Sequence, residues 1–267
     1  MAILEKLFDM YFEEDCPYFD ETCELLGIEG TGRMEIISRT GGIAACTEEL
    51  GEYLRSKGLK VHYVRSGESF KEGEKVFLAE GELRKLFLYW RVSQTFLSIT
   101  CAVATKTREL VDMAKAVNPG VIVATTRKTH PGMRYFELKA VMAGGGNIHR
   151  NSLSDSILVT PNHIRVVGDR VFSIKSRSLK PVEIEPGKGE ADKFAGISDL
   201  ILLDHYTPEE LKSVVPELKK KNPGLKVAVA GNIGDNIAEY ARYADVIVTS
   251  APYYARPLDM TCRIERN

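Results

Sequence analysis

The sequence has no CxxC pair and no His/Cys set at metal-ligand spacing. Its five cysteines (Cys16, Cys23, Cys46, Cys101, Cys262) are odd in number and scattered over 267 residues. Structural zinc and a disulfide framework are therefore disfavoured, and reduced thiols are expected. An excess of one charge is also missing: 36 Lys+Arg against 37 Asp+Glu leave a formal net charge of −1. Nothing favours wrapping a long polyanion, so nucleic acid is not an expected partner. No uncharged run approaches the ~20 residues of a membrane-spanning helix. The opening MAILEKLFDMYFEEDCPYFDE turns acidic without a basic n-region or cleavage pattern, so a soluble, cytoplasmic protein is expected. The 44% hydrophobic and 27% charged residues suit one large domain or two smaller ones with a real core.

Along the chain, Leu4, Leu7, Phe8, Tyr11 and Phe12 recur at spacings of three and four, predicting an amphipathic helix over 4–14. A short helical run follows Asp20–Glu21 and ends near Gly27. Residues 34–58 then read as strand, Gly-Gly turn, strand or loop, and a helix from about Thr47 to Lys57. Residues 59–65 alternate as a strand, Gly67 to Gly73 is a polar loop, and 75–83 is a further strand. This first stretch reads as a small α+β module. From Glu82 to Ala116 the period becomes helical, predicting two helices or one bent one, with Trp90 and Phe96 in the core.

The second half is a series of short, wholly apolar runs separated by helix-sized intervals. The runs are 120–126, 155–161, 170–176 or 180–186, 199–205, 225–231 and 245–251, with helices expected over 132–143, 188–195, 208–221 and 234–243. Strands that are apolar on both faces suit a parallel sheet covered on both sides, which points to an α/β barrel or a doubly wound sheet. Both architectures bind ligands at the carboxyl ends of their strands.

That rule selects candidate residues directly. Arg127 and Lys128, Thr160 and Asn162, Glu183 and Glu185, Asp204 and His205, Gly231 and Asn232, and Thr249 and Ser250 all fall at or near run ends. The stretch 121–164 also concentrates Arg127, Lys128, Arg134, Gly144 to Gly146, His149 and Arg150. Arginine offers paired donors to a carboxylate or phosphate and lysine a mobile charge, so Arg127, Lys128 and Arg150 suit a substrate with more than one anionic group. Glu185 and Asp204 could hold ribose hydroxyls, or a magnesium ion that grips a pyrophosphate. An ion bridge between Glu185 and Lys128 is the structural alternative. The backbone N–H groups of Ala230, Gly231 and Asn232 are candidates for a phosphate.

Thr126-Arg127-Lys128-Thr129, Pro131-Gly132, Gly144-Gly145-Gly146, His149-Arg150 and Asn162-His163 occur in that order. The pattern resembles the core of the quinolinate phosphoribosyltransferases (nicotinate-nucleotide pyrophosphorylases). ISRTGGIAACTEEL (37–50) is similar to the strand-turn-strand of that family's N-terminal domain, and LILLDHY (200–206) to its Leu-Leu-Asp-Asn segment. The resemblance implies an N-terminal open α/β sandwich over 1–103, including a linking helix, and an incomplete parallel α/β barrel over 104–267. The extreme C-terminus is free to return to the first domain. It implies a homodimer or higher homo-oligomer whose active site is completed across subunits. Arg127, Lys128, His149 and Arg150 would line the acceptor site, with Glu185 and Asp204 near the phosphoribosyl group. The substrates implied are phosphoribosyl pyrophosphate and a small heterocyclic acceptor, with magnesium as cofactor, held by Glu185 and Asp204. Lys128, Glu185 and Asp204 are the expected catalytic residues; Arg127, Lys128, His149, Arg150, Thr160, Ala230, Gly231, Asn232 and Ser250 are the expected binding residues.

The family's Gln-Arg-Leu-Ser-Gly corresponds here to Ser98-Ile99-Thr100-Cys101-Ala102, and its Ile-Lys-Asp-Asn-His to Val159-Thr160-Pro161-Asn162-His163. Two cations are lost, each worth ~1.5–3 kcal/mol in a charge-assisted contact. With the ending Thr249-Ser250-Ala251-Pro252-Tyr253-Tyr254, these departures resemble the ModD branch, associated with molybdate transport. The expectation is therefore phosphoribosyl transfer to a nitrogen of an acceptor other than quinolinate. The competing expectation is a non-catalytic anion-binding or regulatory protein linked to molybdate or metal handling. An aldolase using Lys128 as a Schiff base is disfavoured, because Lys128 has no evident proton-transfer partner.

Overall fold

The computed structural model describes residues 2–173 and 182–267. These form two compact units, Met1–Arg108 with His130–Gly145 and Pro252–Asn267, and Glu109–Thr129 with Gly146–Ala251.

In the first unit, helix α1 (Ala2–Asp15) buries Phe8 and Phe12, one turn apart, so one face of the helix is apolar. Phe12 stacks on Tyr53 at 5.3 Å, and Phe8 meets Phe96 and Phe136 at 5.1 Å each, giving an aromatic cluster. Such pairs add about 0.5–1.5 kcal/mol beyond their buried area. Helix α2 (Glu21–Leu25) begins where the Asp20 carboxylate accepts the Thr22 and Cys23 N–H groups, at 2.9 and 3.0 Å. Strands β1 (Thr31–Ser38), β3 (Lys60–Tyr63), β5 (Lys75–Glu82) and β13 (Met260–Arg266) form an antiparallel sheet in the order β13-β1-β5-β3. The loop expected over 67–73 contains strand β4 (Ser69–Phe70), which pairs with β2 (Gly42–Ile43). Buried Phe70 gives that otherwise polar stretch its anchor. Helix α3 (Thr47–Ser56) lies where the sequence pattern predicts it.

Of the two alternatives expected over 82–116, two helices or one bent one, the chain forms a single helix, α4 (Leu83–Val117), whose residues 83–108 belong to the first unit. Phe96 is buried as expected. Trp90 is only half-buried, and the Arg91 guanidinium lies 3.9 Å from its ring centroid. Helix α5 (Arg134–Ala143) also belongs to the first unit. It ends at Gly144, where a Cβ would lie 2.4 Å from the Ala104 carbonyl oxygen, so the first of the three glycines is dictated by close approach to α4.

The second unit is a seven-stranded parallel sheet. Its strands are β6 (Ile122–Thr125), β7 (Asn147–Ile148), β8 (Ile157–Val159), β9 (Val182–Ile184), β10 (Leu200–Asp204), β11 (Lys226–Ala230) and β12 (Val246–Thr249). The spatial order β7-β6-β12-β11-β10-β9-β8 is the chain order turned into a ring and cut once, between β7 and β8. This is the topology of an α/β barrel left open at one seam, as expected. Val123, Ile184, Ile201, Leu203, Val227, Val229 and Ile247 share one apolar cluster with Leu211 and Leu218 of helix α7 (Pro208–Lys221) and Ile237 of helix α8 (Ile237–Ala241). The alternate residues Leu202, Ala228, Ala230 and Val248 form a separate small cluster on the opposite, inner face.

Two expectations in this unit change, and one open choice is decided. The interval 188–195 holds only a 3-10 turn, Ala191–Lys193. Pro161, expected to end a strand, instead opens helix α6 (Pro161–Val167), where its missing N–H and fixed φ suit the first turn. Of the alternative runs 170–176 and 180–186, the strand is Val182–Ile184. Gly168–Ser173 is a 3-10 helix, and residues 174–181 lie outside the described ones. No helix among the described residues is long and apolar enough to cross a membrane.

Acidic residues tie the amino ends of the strands. Asp199 accepts the Val182 N–H at 2.7 Å, and Asp245 accepts the Val227 N–H at 2.8 Å while pairing with Lys219 at 2.7 Å. Burial by itself raises the Asp245 pKa, but the Lys219 ammonium and the Val227 N–H outweigh it and hold the carboxyl below its ordinary value. A carboxyl lowered in this way stabilises the fold above its unfolded pKa near ~3.9, and the contribution is lost as pH falls through the folded value. Asp245→Asn is expected to cost about 1–3 kcal/mol near neutral pH and to flatten the acid limb of the stability profile. Urea unfolding at neutral pH and near pH ~3 measures both effects. Gly144→Ala, which forces α5 away from α4, is expected to lower stability by about 1–3 kcal/mol in the same assay.

Candidate functional site

The expected site residues lie at the carboxyl ends of the parallel strands of the second unit. Arg127 and Lys128 follow β6, His149 and Arg150 follow β7, Thr160 follows β8, and Glu185 follows β9. Asp204 ends β10, Ala230 ends β11 with Gly231 and Asn232 after it, and Ser250 follows β12. Paired positions in a parallel sheet face the same way, and Asp204 pairs with Ala230 of the inner cluster. The Thr126 and Ser250 hydroxyls, one residue beyond the Thr125–Thr249 register pair, are 2.6 Å apart.

The sheet curls far enough to bring its two ends together. His149 continues β7 at one end, and Glu183 sits on β9, next to the other end. Their Nε2 and Oε2 atoms are nevertheless 2.7 Å apart, with side chains only 11% and 15% exposed. Burial works against the charged imidazole, but the Glu183 carboxylate outweighs it and holds the His149 pKa above its ordinary value.

A second cluster lies around Glu185. Its carboxyl is half-buried, and burial first, then the Asp204 carboxylate, raise its pKa; the positive charges of Lys128 and His205 pull it back. Side chains from the ends of β6, β9 and β10 thus act on one another, although no ion pair joins Glu185 to Lys128 among the described residues. His205 Nε2 lies 3.5 Å from Asp204 Oδ2, and the Lys188 ammonium donates to the His205 carbonyl at 3.5 Å. His205 and Asn232 have positive φ values of 58° and 52°, as does Gly231 at 96°. Left-handed backbone outside glycine costs on the order of 1–3 kcal/mol and persists where its surroundings demand it. Here the demand is close packing of two strand ends: a Cβ on Gly231 would sit 2.6 Å from the His205 backbone nitrogen.

Two expected residues are turned to local work. Thr160 caps α6, its N–H donating to His163 Nδ1 at 3.0 Å and its hydroxyl 2.8 Å from the same atom. One Arg150 guanidinium nitrogen donates to the Ser156 carbonyl at 2.9 Å. Arg127 and Lys128 are exposed. Glu183, Lys188 and His205 are site neighbours that the residue selection passed over as binding groups. Alternation within β9 and adjacency to Asp204 are the signals that find Glu183 and His205; nothing in the sequence points to Lys188.

Among the described residues no group of three or more His, Cys, Asp or Glu side chains could hold a metal ion. Two neighbouring carboxylates with an unbalanced negative field are nonetheless a fitting donor set for magnesium, which takes one or two carboxylates and completes its shell with substrate phosphates and water.

Comparison with known proteins agrees with this arrangement. The family description "Quinolinate phosphoribosyl transferase, N-terminal domain" matches residues 20–101, and the corresponding C-terminal domain matches 103–263. A Pasteurella multocida protein bearing the name pyrophosphorylase ModD is 34% identical over 97% of this chain and 96% of its own. An Archaeoglobus fulgidus protein named as a carboxylating nicotinate-nucleotide pyrophosphorylase is 39% identical over 75% of this chain and 81% of its own. The nicotinate-nucleotide pyrophosphorylase structure from Francisella tularensis shares the fold at TM-score 0.87, with 23% identity, covering 99% of this chain and 96% of that one. With both domain descriptions matched and full-length relatives above 30% identity, the chain belongs to the quinolinate phosphoribosyltransferase family and is a phosphoribosyltransferase.

Proposed function

We propose that the chain transfers the phosphoribosyl group of phosphoribosyl pyrophosphate to a ring nitrogen of a heterocyclic acceptor that carries fewer ionised groups than quinolinate. The observation behind this reading is the division of the rim: exposed Arg127 and Lys128 at one strand end, and the Glu185–Asp204 pair with the Gly231 turn at the ends of β9, β10 and β11.

In this scheme Arg127 and Lys128 bind the anionic groups and offset the charge that develops on the departing pyrophosphate. The Ala230-Gly231-Asn232 turn presents backbone N–H groups to a phosphate, and Ser250 lies beside it in the sheet order. Glu185 and Asp204 face the ribose, where carboxylates favour an oxocarbenium-like centre. The same two residues would hold a magnesium ion, whose charge would neutralise the pyrophosphate. No covalent nucleophile is required, and a ring nitrogen has no proton to remove, which leaves His149 the task of binding and orienting the acceptor.

The acceptor class follows from two positions. Ile99 and Thr160 are neutral where the family pattern carries arginine and lysine, and the Thr160 hydroxyl is already engaged in capping α6. A second acidic group on the acceptor would go unmatched. Mass spectrometry of reactions holding phosphoribosyl pyrophosphate with nicotinate, quinolinate and related heterocycles tests the assignment. Faster product formation from a monoanionic acceptor than from quinolinate is expected. Quinolinate as the best substrate overturns the acceptor class, and thermal stabilisation by molybdate with no turnover of any acceptor overturns the transfer reading. Arg127→Ala is expected to weaken binding of the anionic substrate by roughly 1.5–3 kcal/mol in calorimetry. Gly231→Ala is expected to raise the KM for phosphoribosyl pyrophosphate while leaving the secondary structure, read by circular dichroism, intact.

A further inference from the structure

The His149–Glu183 contact differs from every other ion pair at the rim. It joins strands from opposite ends of the open sheet, both side chains are largely buried, and each presents its atom to the other at 2.7 Å. Neither His149 Nε2 nor Glu183 Oε2 has an aligned hydrogen-bond partner among the described residues, so the contact between them is an ion pair held by proximity and charge. A buried carboxylate and a buried imidazole facing each other alone are tolerable only if they share charge, because either ion by itself would be uncompensated.

We propose that Glu183 is a positioning residue for the acceptor subsite, holding His149 as an imidazolium turned across the open seam of the sheet. The term acceptor subsite rests on the phosphoribosyl-transfer reading; the pair itself does not. Glu183 fixes the orientation of the ring: an imidazolium is protonated on both nitrogens, and its Nε2 side is the one turned to the carboxylate. The charged groups acting on His149 are Glu183 from β9 and, in the opposite sense, Arg150 beside it in the chain. The pair is neutral as a whole, so the excess positive charge offered to a ligand comes from Arg127, Lys128 and Arg150.

The raised His149 pKa is consistent with this geometry. A histidine raised by its partner stabilises the fold fully below its unfolded pKa near ~6.5, and the contribution is lost as pH rises through the folded value. Nuclear magnetic resonance of the five histidines of the full chain, with His149 assigned through His149→Gln, reads the ring directly. His149 is expected to titrate above the ordinary value in the native chain. In Glu183→Gln its midpoint is expected to fall by about one pH unit or more, and Glu183→Asp is expected to recover part of the shift. Binding of inorganic pyrophosphate, followed by calorimetry across the same pH range, is expected to keep its arginine-dependent affinity in Glu183→Gln. An unchanged His149 midpoint in that variant overturns the proposal. If Glu183→Gln does not fold, a native midpoint at or below ~6.5 overturns it instead. The resonance measurement involves no turnover, so a chain that fails to transfer phosphoribosyl groups leaves this result standing, and the converse holds as well.

Discussion

The second unit depends on the curl of one parallel sheet. Its strand order is that of a ring cut between β7 and β8, and alternate residues of its strands face opposite sides. Ile184, Leu203 and Val227 face the helices, while Leu202, Ala228, Ala230 and Val248 face inward. The carboxyl end carries two clusters, His149 with Glu183 and Glu185 with Asp204. A flat sheet with the same strands would hold His149 and Glu183 several strands apart, and the buried pair would not exist.

Electrostatics follow from this crowding. Burial and then the Asp204 carboxylate raise the pKa of the half-buried Glu185, and Lys128 and His205 relieve only part of it. The amino ends of the strands show the reverse arrangement, with Asp199 and Asp245 satisfied by backbone N–H groups and Lys219. Acidic residues at one end of the sheet are tied to backbone N–H groups and a lysine; at the other end Glu183 and Asp204 face histidines instead.

How much of this was legible in the sequence depended on the range of the interactions. Helix α7 could be placed to the residue because its boundary is local: Thr207 caps it, Pro208 opens it, and Glu210 closes the capping box. The strand ends were equally readable, since apolar runs stop where the sheet stops, and that rule placed Arg127, Glu185, Asp204 and Gly231 at one rim. Helix α6 escaped because Pro161 comes directly after an apolar run, so a helix start looked like a strand end. Phe70 escaped because a single apolar residue in a polar loop has no period. The His149–Glu183 contact lay beyond sequence reasoning, since it depends on how far the sheet curls.

The interleaving of the two units has a consequence for the history and handling of the chain. The polypeptide changes unit at 108/109, 129/130, 145/146 and 251/252. Neither unit is therefore a contiguous piece of gene, and no single cut yields one intact. Recombination that exchanged either half for a foreign one would remove strand β13 from its sheet or α5 from its neighbours. The two units therefore have to be expressed and handled as one chain.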